Sequence, residues 1–98
     1  MYPAASPLLT DLYQLNMLQA YLEHGRTATA VFEFFVRLLP VRRGFLVAAG
    51  LEQVLDHLAA LRFAADELEW LRRSGRFGSA LIDYLAGFRF TGDVDAMP

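Results

Sequence analysis

The segment over residues 11–24 constrains the fold most, because it predicts a helix that is apolar around much of its circumference. Its clearly polar residues are Gln14, Asn16, Gln19 and Glu23. The apolar residues form two adjoining stripes, Leu12, Leu15, Leu18 and Leu22 on one and Tyr13, Met17, Ala20 and Tyr21 on the other. A helix of this kind is normally covered on more than one side. Its neighbours must therefore come from the rest of the chain or from outside it.

Local signals mark both ends of this helix. Asp11 is a candidate N-cap, since its carboxylate can accept the backbone N–H of Gln14 while the Gln14 side chain reaches back in a capping box. Thr10 is the rival cap. Gly25 is expected to stop the helix as the left-handed residue that follows many helix ends.

Tyr13 has two interpretations. With Asp11 as the cap, Tyr13 lies in the first turn, where free N–H groups and the helix dipole favour anionic ligands. Its ring would then offer a flat stacking surface. The alternative is a well-capped core helix in which this tyrosine is buried.

Residues 29–37 alternate in a way that predicts a β-strand. One face carries Ala30, Phe32, Phe34 and Val36, and the other carries Val31, Glu33, Phe35 and Arg37. Glu33 and Arg37 lie four positions apart, roughly 13 Å at the rise of a strand, which is too far for a direct ion pair. Each therefore needs another partner or solvent.

The rest of the chain predicts more helices and short extended pieces. Residues 38–44 form a loop with Pro40, and residues 45–48 form a second strand. Three more helices are predicted. The first is opened by Gly50, and its apolar face carries Leu51, Val54, Leu55, Leu58 and Leu61. The second is capped by Asp66, with Glu69 at the box position, and ends at Ser74 and Gly75, and the third runs from Ser79 to Gly87. Residues 88–91 are expected to be extended, and 94–98 to start a strand. The predicted class is α/β, an α+β arrangement of several helices and a small sheet.

The apolar content exceeds what a chain of this length buries. Of 98 residues, 55% are hydrophobic and eight are phenylalanine, against about 45–50% in an average soluble domain. The surplus indicates large oligomer interfaces or a longer polypeptide that covers this part. The end at residues 92–98 reads as the middle of a connection, so we expect a single domain, residues 1–98, that has been cut short.

Charge and cysteine content exclude several classes of function. A net charge of −2 gives no electrostatic reason to expect nucleic acid or anionic membranes as partners. Residues 1–7 lack the features of a signal peptide and no apolar run could span a bilayer, so we expect a cytoplasmic protein. Without cysteine there is no thiol chemistry. His24 and His57 show no metal-ligand spacing, and both are expected at the surface.

Five stretches in register carry a resemblance to a known family. They are LTDLYQLNM at 9–17, AY at 20–21 with HG at 24–25, FEFFVRLLP at 32–40, GFLVAAGLE at 44–52 and FRFTGDV at 88–94. Together they resemble the amino-terminal part of nicotinate phosphoribosyltransferase, in the nicotinate/nicotinamide phosphoribosyltransferase family. The likeness covers nearly the whole chain. Each stretch is weak alone, and their shared order makes them specific.

The resemblance implies an enzyme of NAD salvage. Such enzymes form nicotinate mononucleotide and pyrophosphate from nicotinate and phosphoribosyl pyrophosphate, with ATP and Mg²⁺, through a transiently phosphorylated histidine. Their fold, that of a type II phosphoribosyltransferase, combines an irregular barrel with an α/β domain, and they form homodimers with active sites at the subunit boundary. The resemblance implies that this chain holds the amino-terminal domain, lacks the catalytic barrel and is inactive alone.

The resemblance also assigns three substrate-binding residues. Tyr13 matches the tyrosine that stacks on the pyridine ring, in the partner subunit's site, and Asp11 matches the acid of the same motif. Arg37 matches an arginine that approaches the phosphate-bearing substrate, with a structural arginine near the interface as the alternative. No residue of this chain matches a catalytic or metal-binding group.

Some features leave alternatives open. Arg42 and Arg43 stand where many relatives carry glycine, so the loop lacks some backbone freedom, and the pair is either a phosphate contact or a solvated loop tip. Leu12 favours the nicotinate branch over nicotinamide-using relatives. The alternative of another class is a free-standing α/β interaction or regulatory module without catalysis.

Overall fold

Four α-helices and a long segment without regular structure make up the part of the chain that the structure describes. The structure is a computed structural model, and residues 5–97 are described. The helices are α1 (Leu12–Glu23), α2 (Leu51–Ala60), α3 (Ala65–Ser74) and α4 (Ser79–Ala86). Each predicted helix is present, so the helical half of the expected α/β class is confirmed.

The predicted small sheet is wrong for the chain as described. Residues 29–37, 45–48 and 88–91 are not in strands, and neither are residues 94–97 of the expected final strand; its last residue, Pro98, lies outside the described part. A strand exists only where its backbone bonds to a neighbouring strand. Between residues 27 and 39, no described backbone group bonds to another described backbone group. The alternating segment over residues 29–37 therefore has no partner strand among the described residues.

The ends of α1 follow the sequence signals closely. Asp11 is the N-cap with φ −82° and ψ 147°, and the N–H of Asp11 donates to Gln14 Oε1 at 3.4 Å. At the other end, Gly25 has φ +63°. The N–H of Gly25 donates to the Leu22 carbonyl at 3.3 Å and the N–H of Arg26 to the Tyr21 carbonyl at 2.9 Å, which is the Schellman pattern.

The predicted start of α3 is wrong by two residues. The N-cap is Ala64 rather than Asp66, and the side chain at the box position is Glu67 rather than Glu69. Ala64 has no side-chain acceptor, and its own N–H donates to Glu67 Oε1 at 2.9 Å. One carboxylate reaching back is therefore enough to fix the start of this helix. Its end at Gly75, with φ +69°, agrees with the sequence.

The core lies where α4 packs against α3 and α1, and we call these three helices the helical cluster. Its buried side chains are Leu15, Leu71, Leu81, Ile82 and Leu85. A polar bond joins the same helices, since the N–H of Gly78, the N-cap of α4, donates to Gln19 Oε1 at 2.7 Å. Leu15, Leu18 and Leu22 of one stripe of α1 face this core. Leu12, at the start of that stripe, is exposed, and so are Tyr13, Met17 and Tyr21 of the other stripe.

Residues 27–49, which we call the arm, bury no side chain and do not contribute to this core. Every arm residue is exposed. The radius of gyration is 16.4 Å, against about 13 Å for a compact domain of this length. The accessible surface is 8948 Å², whereas a compact 11.0 kDa protein exposes about 5,600 Å². The exposed large apolar side chains are divided between the arm and the rest of the chain, so the arm carries a large share of the surplus inferred from composition.

Candidate functional site

The first turn of α1 carries the strongest candidate site. The Asp11 cap leaves this end of the helix at the surface, with the positive end of its dipole facing outward. Gln14 Oε1 also accepts the hydroxyl of Thr10, so the turn before the helix is fixed by two bonds to one amide oxygen. The Asp11 carboxylate faces the Gln14 amide without forming a capping hydrogen bond, and stays at the surface.

Tyr13 lies on this turn with its ring 58% exposed, which excludes burial in the core of this chain. Its hydroxyl forms no hydrogen bond with any residue between 5 and 97. The interpretation that it is a buried core tyrosine is therefore wrong for this chain. An exposed ring on a rigid, capped turn is free to stack on a flat partner, because the helix fixes its position.

Arg37 is not assembled with the first turn of α1. It lies in the arm and is exposed, and no hydrogen bond or ion pair between described residues joins it to Tyr13 or Asp11. The three substrate-binding residues expected from the resemblance thus occupy two separate regions. Any site that uses all three needs the arm to be positioned by something other than the helical cluster.

The Arg42 and Arg43 loop forms a tight turn. The N–H of Arg43 donates to the Pro40 carbonyl at 3.1 Å, and Arg42 has φ +68°. This left-handed conformation is the one that glycine adopts without strain, which fits the expectation that the loop lacks some of glycine's freedom. Both guanidinium groups are exposed and form no ion pair with a described residue, so the structure favours neither interpretation of the pair.

The two histidines have different surroundings. His24 is exposed at the end of α1, with Nδ1 2.7 Å from the Ala20 carbonyl oxygen. His57 is half-buried and lines a cavity of about 350 Å³ with Leu18, Leu61, Phe63, Leu85 and Phe88. The sequence gives no signal for this cavity, because its walls come from separate elements. Its lining offers one imidazole and no acid, which is not an acid–base pair.

A second open cavity of about 480 Å³ lies along α3. Leu8, Asp66, Glu67, Trp70 and Arg73 line it. Ser6 donates its hydroxyl to Glu67, which holds the segment before α1 against the start of α3. Sequence reasoning missed this contact, since the two residues are 61 positions apart.

Among residues 5–97, no group of three or more His, Asp or Glu side chains is placed to hold a metal ion. No helix in this range combines the length and apolarity needed to cross a bilayer.

Comparisons with known proteins identify the relatives of the chain. Residues 8–98 match the family described as nicotinate phosphoribosyltransferase (NAPRTase) N-terminal domain. Nicotinate phosphoribosyltransferase pncB2 of Mycobacterium tuberculosis (strain ATCC 25618 / H37Rv) is 48% identical over 91 residues, covering 93% of this chain and 20% of the relative.

Similar proteins from other organisms match the chain as well. Nicotinate phosphoribosyltransferase of Bacillus subtilis (strain 168) is 41% identical over 66% of this chain and 14% of its own length. The Homo sapiens protein of the same name is 42% identical over 69% of this chain and 13% of its own length. The chain thus spans about a fifth or less of these curated relatives. No solved structure matches it.

Proposed function

The chain belongs to the nicotinate phosphoribosyltransferase family, whose N-terminal domain it carries, and from this we propose that its protein joins nicotinate to phosphoribosyl pyrophosphate. The products are nicotinate mononucleotide and pyrophosphate, and ATP hydrolysis is coupled to the reaction. The protein acts in NAD salvage, in the cytoplasm. Residues 1–98 supply substrate stacking and dimer contacts, and the catalytic barrel lies outside them.

One observation carries the substrate-binding part of the proposal: the exposed ring of Tyr13 on the capped first turn of α1. Nicotinate presents a flat, electron-poor pyridine ring, and a phenol ring stacks well against it in an offset arrangement. Such a pair contributes about 0.5–1.5 kcal/mol beyond the burial of its area. Because Tyr13 points away from its own core, we place the stacked substrate in the site of a partner subunit.

Asp11 and Arg37 have supporting roles in this proposal. Asp11 is the N-cap residue of α1, and the bond from its N–H to Gln14 Oε1 helps to hold the turn that presents Tyr13. Arg37 supplies a guanidinium for the phosphate groups of phosphoribosyl pyrophosphate, whose oxygens suit its planar fork of N–H donors. The exposure of Arg37 on the arm leaves those donors accessible.

The groups for ATP and Mg²⁺ belong outside this chain. Among residues 5–97, no group of three or more carboxylates or imidazoles is placed for a metal ion. No step of the reaction is therefore assigned to a residue of this chain. By itself the 98-residue chain is expected to be catalytically inert.

Variants of Tyr13 test the proposal in the intact polypeptide that carries this domain. Tyr13→Ala should raise the KM for nicotinate about three- to tenfold, whereas Tyr13→Phe keeps the ring and should change it little. Tyr21→Ala is the matched control, since Tyr21 is a similarly exposed tyrosine two turns along the same helix. An unchanged KM in Tyr13→Ala, or an equal change in Tyr21→Ala, would remove the stacking role.

A free-standing interaction module is the second candidate, and the exposed arm favours it. A surplus surface of this size suits a domain whose task is association. Reading the coding sequence beyond codon 98 separates the two candidates. A reading frame that continues into a long barrel sequence supports the enzyme, and a natural stop codon supports the module.

A further inference from the structure

We propose that Gln14 is a positioning residue for the ring of Tyr13, and that its neutral amide suits this role because a carboxylate would oppose an anionic substrate. The inference rests on the proposed function and deepens it, since it adds a residue that acts on nicotinate through Tyr13 rather than by contact. It starts from the hydrogen bonds that the Gln14 side chain accepts at the start of α1.

Tyr13 lies in a part of the helix that the helical backbone holds weakly. It is the second residue of α1, and the first four N–H groups of an α-helix have no partner within the helix, so this turn frays readily. Leu15, two residues later, is buried and anchors α1 to the core. A fixed direction of the Tyr13 ring therefore also depends on bonds at the residues that precede it.

Gln14 supplies those bonds by joining the turn before the helix to the helix itself. Its Oε1 atom accepts the hydroxyl of Thr10, and also the N–H of Asp11 at 3.4 Å. In return, the N–H of Gln14 donates to the Asp11 carbonyl at 3.1 Å. The bonds enclose Tyr13, because Thr10 and Asp11 precede it and Gln14 follows it. The turn is tied further back as well, since the N–H of Thr10 donates to the Leu8 carbonyl at 2.8 Å.

Helix α3 makes the same bond to its N-cap with a carboxylate instead of an amide. Glu67 Oε1 accepts the N–H of Ala64 at 2.9 Å, and Asp66 adds a second acid to that turn. Negative charge at the start of a helix is favourable, because it faces the positive end of the dipole. The first turn of α1, in contrast, carries no acidic residue after its N-cap. Gln14 thus stands where a glutamate would serve the helix at least as well.

The charge of the proposed substrates accounts for this difference between the two helices. Nicotinate carries a carboxylate and phosphoribosyl pyrophosphate carries several phosphate oxygens, so a second acid beside Tyr13 would repel both. Asp11 already places one carboxylate at this turn, and the uncharged side chain of Gln14 adds no other. An amide oxygen therefore holds the turn without making the surroundings of the ring more negative.

Removing the acceptor tests the positioning role in the intact polypeptide that carries this domain. Gln14→Met keeps the length of the side chain but has no amide oxygen. It should raise the KM for nicotinate about two- to fivefold with little change in kcat, because a loosened turn loses part of the stacking. In a Tyr13→Ala background the same change should leave the KM unaltered, since no ring remains to be positioned. A residue that supports only the fold would act equally in both backgrounds.

Gln14→Glu tests the charge, because it keeps an acceptor oxygen for Thr10 and Asp11. Its melting temperature should equal that of the unchanged protein, since glutamate also forms capping boxes. The KM for nicotinate should nevertheless rise about two- to threefold at low salt, and the rise should shrink at high salt. Gln53→Glu is the matched control: Gln53 is an exposed glutamine at the third position of α2, the position that Gln14 has in α1. It should leave the KM unchanged.

The KM values decide between the outcomes. An unchanged KM in Gln14→Met, an equal rise with and without the Tyr13 ring, or equal effects of Gln14→Glu and Gln53→Glu would overturn the proposal. If Tyr13→Ala still raises the KM in that case, only the role of Gln14 is removed. An unchanged KM in Tyr13→Ala would overturn the stacking role together with this inference.

Discussion

The helical cluster and the arm are both strongly apolar, yet one buries its side chains and the other exposes them. Leu71, in α3, is 0% exposed, whereas Phe34, in the arm, is 99% exposed. In the cluster, apolar residues recur at helical spacing, so each helix forms its own backbone bonds and presents a stripe to a neighbour. In the arm they recur at strand spacing, and a strand needs a partner before either its backbone or its side chains are satisfied. The two regions thus differ in whether their partner is inside the chain.

Truncating one side chain in each region should give the largest difference in stability between the cluster and the arm. Leu71→Ala removes a fully buried side chain and should lower the free energy of unfolding by about 2–5 kcal/mol. Phe34→Ala removes a larger but exposed side chain and should change it by less than about 0.5 kcal/mol in the monomer. Urea unfolding followed by the helical circular dichroism signal checks both. Similar losses in the two variants would show that the arm packs on the cluster.

Two glycines allow the contribution of backbone conformation to the stability of the cluster to be measured separately from packing. Gly25 and Gly87 both follow a helix, and a Cβ added at either would meet no atom within 4 Å. Gly25 has φ +63° and Gly87 has φ −100°. Gly25→Ala should therefore cost about 1–2 kcal/mol of stability, while Gly87→Ala should be neutral or slightly stabilising.

The same urea unfolding measurement compares these variants. Equal effects at the two glycines would mean that the left-handed end of α1 does not contribute to the stability of the cluster.

The bond between Gln19 and Gly78 is expected to have a smaller effect. Gln19→Ala removes the acceptor of the Gly78 N–H at the start of α4, and should cost about 0.5–1.5 kcal/mol. Asn16→Ala, an exposed position on the same helix without such a bond, is the control and should change stability little. A loss in the control as large as in Gln19→Ala would show that the effect does not come from the link between α1 and α4, because alanine itself favours the helix at both positions.

The same contrast explains which features could be predicted from sequence. The ends of α1 and the stop of α3 depend on residues a few positions away, such as Asp11, Gly25 and Gly75, and these predictions are confirmed. The predicted start of α3 is wrong because the carboxylate of Glu67, within the helix, accepts the N–H of Ala64, and Ala64 has no polar side chain that would mark it as a cap.

Strand pairing and the exposure of Tyr13 could not be predicted from neighbouring residues, because both depend on residues far away in the sequence. The alternation over residues 29–37 predicts which side chains would lie on each face of a strand, but it does not show whether a partner strand is present. The two apolar stripes of α1 were visible in the sequence, yet only the packing of α4 decides which stripe is buried. The contact between Ser6 and Glu67 joins positions too distant for any local pattern.

The backbone of the cluster is hydrogen-bonded within the described chain and that of residues 27–39 is not, and hydrogen exchange measures this difference. In the dilute 98-residue chain, backbone amides in α1, α3 and α4 should be protected, and those of residues 27–39 should exchange at the rate of an unstructured peptide. Protection of the arm in the dilute monomer would contradict the claim.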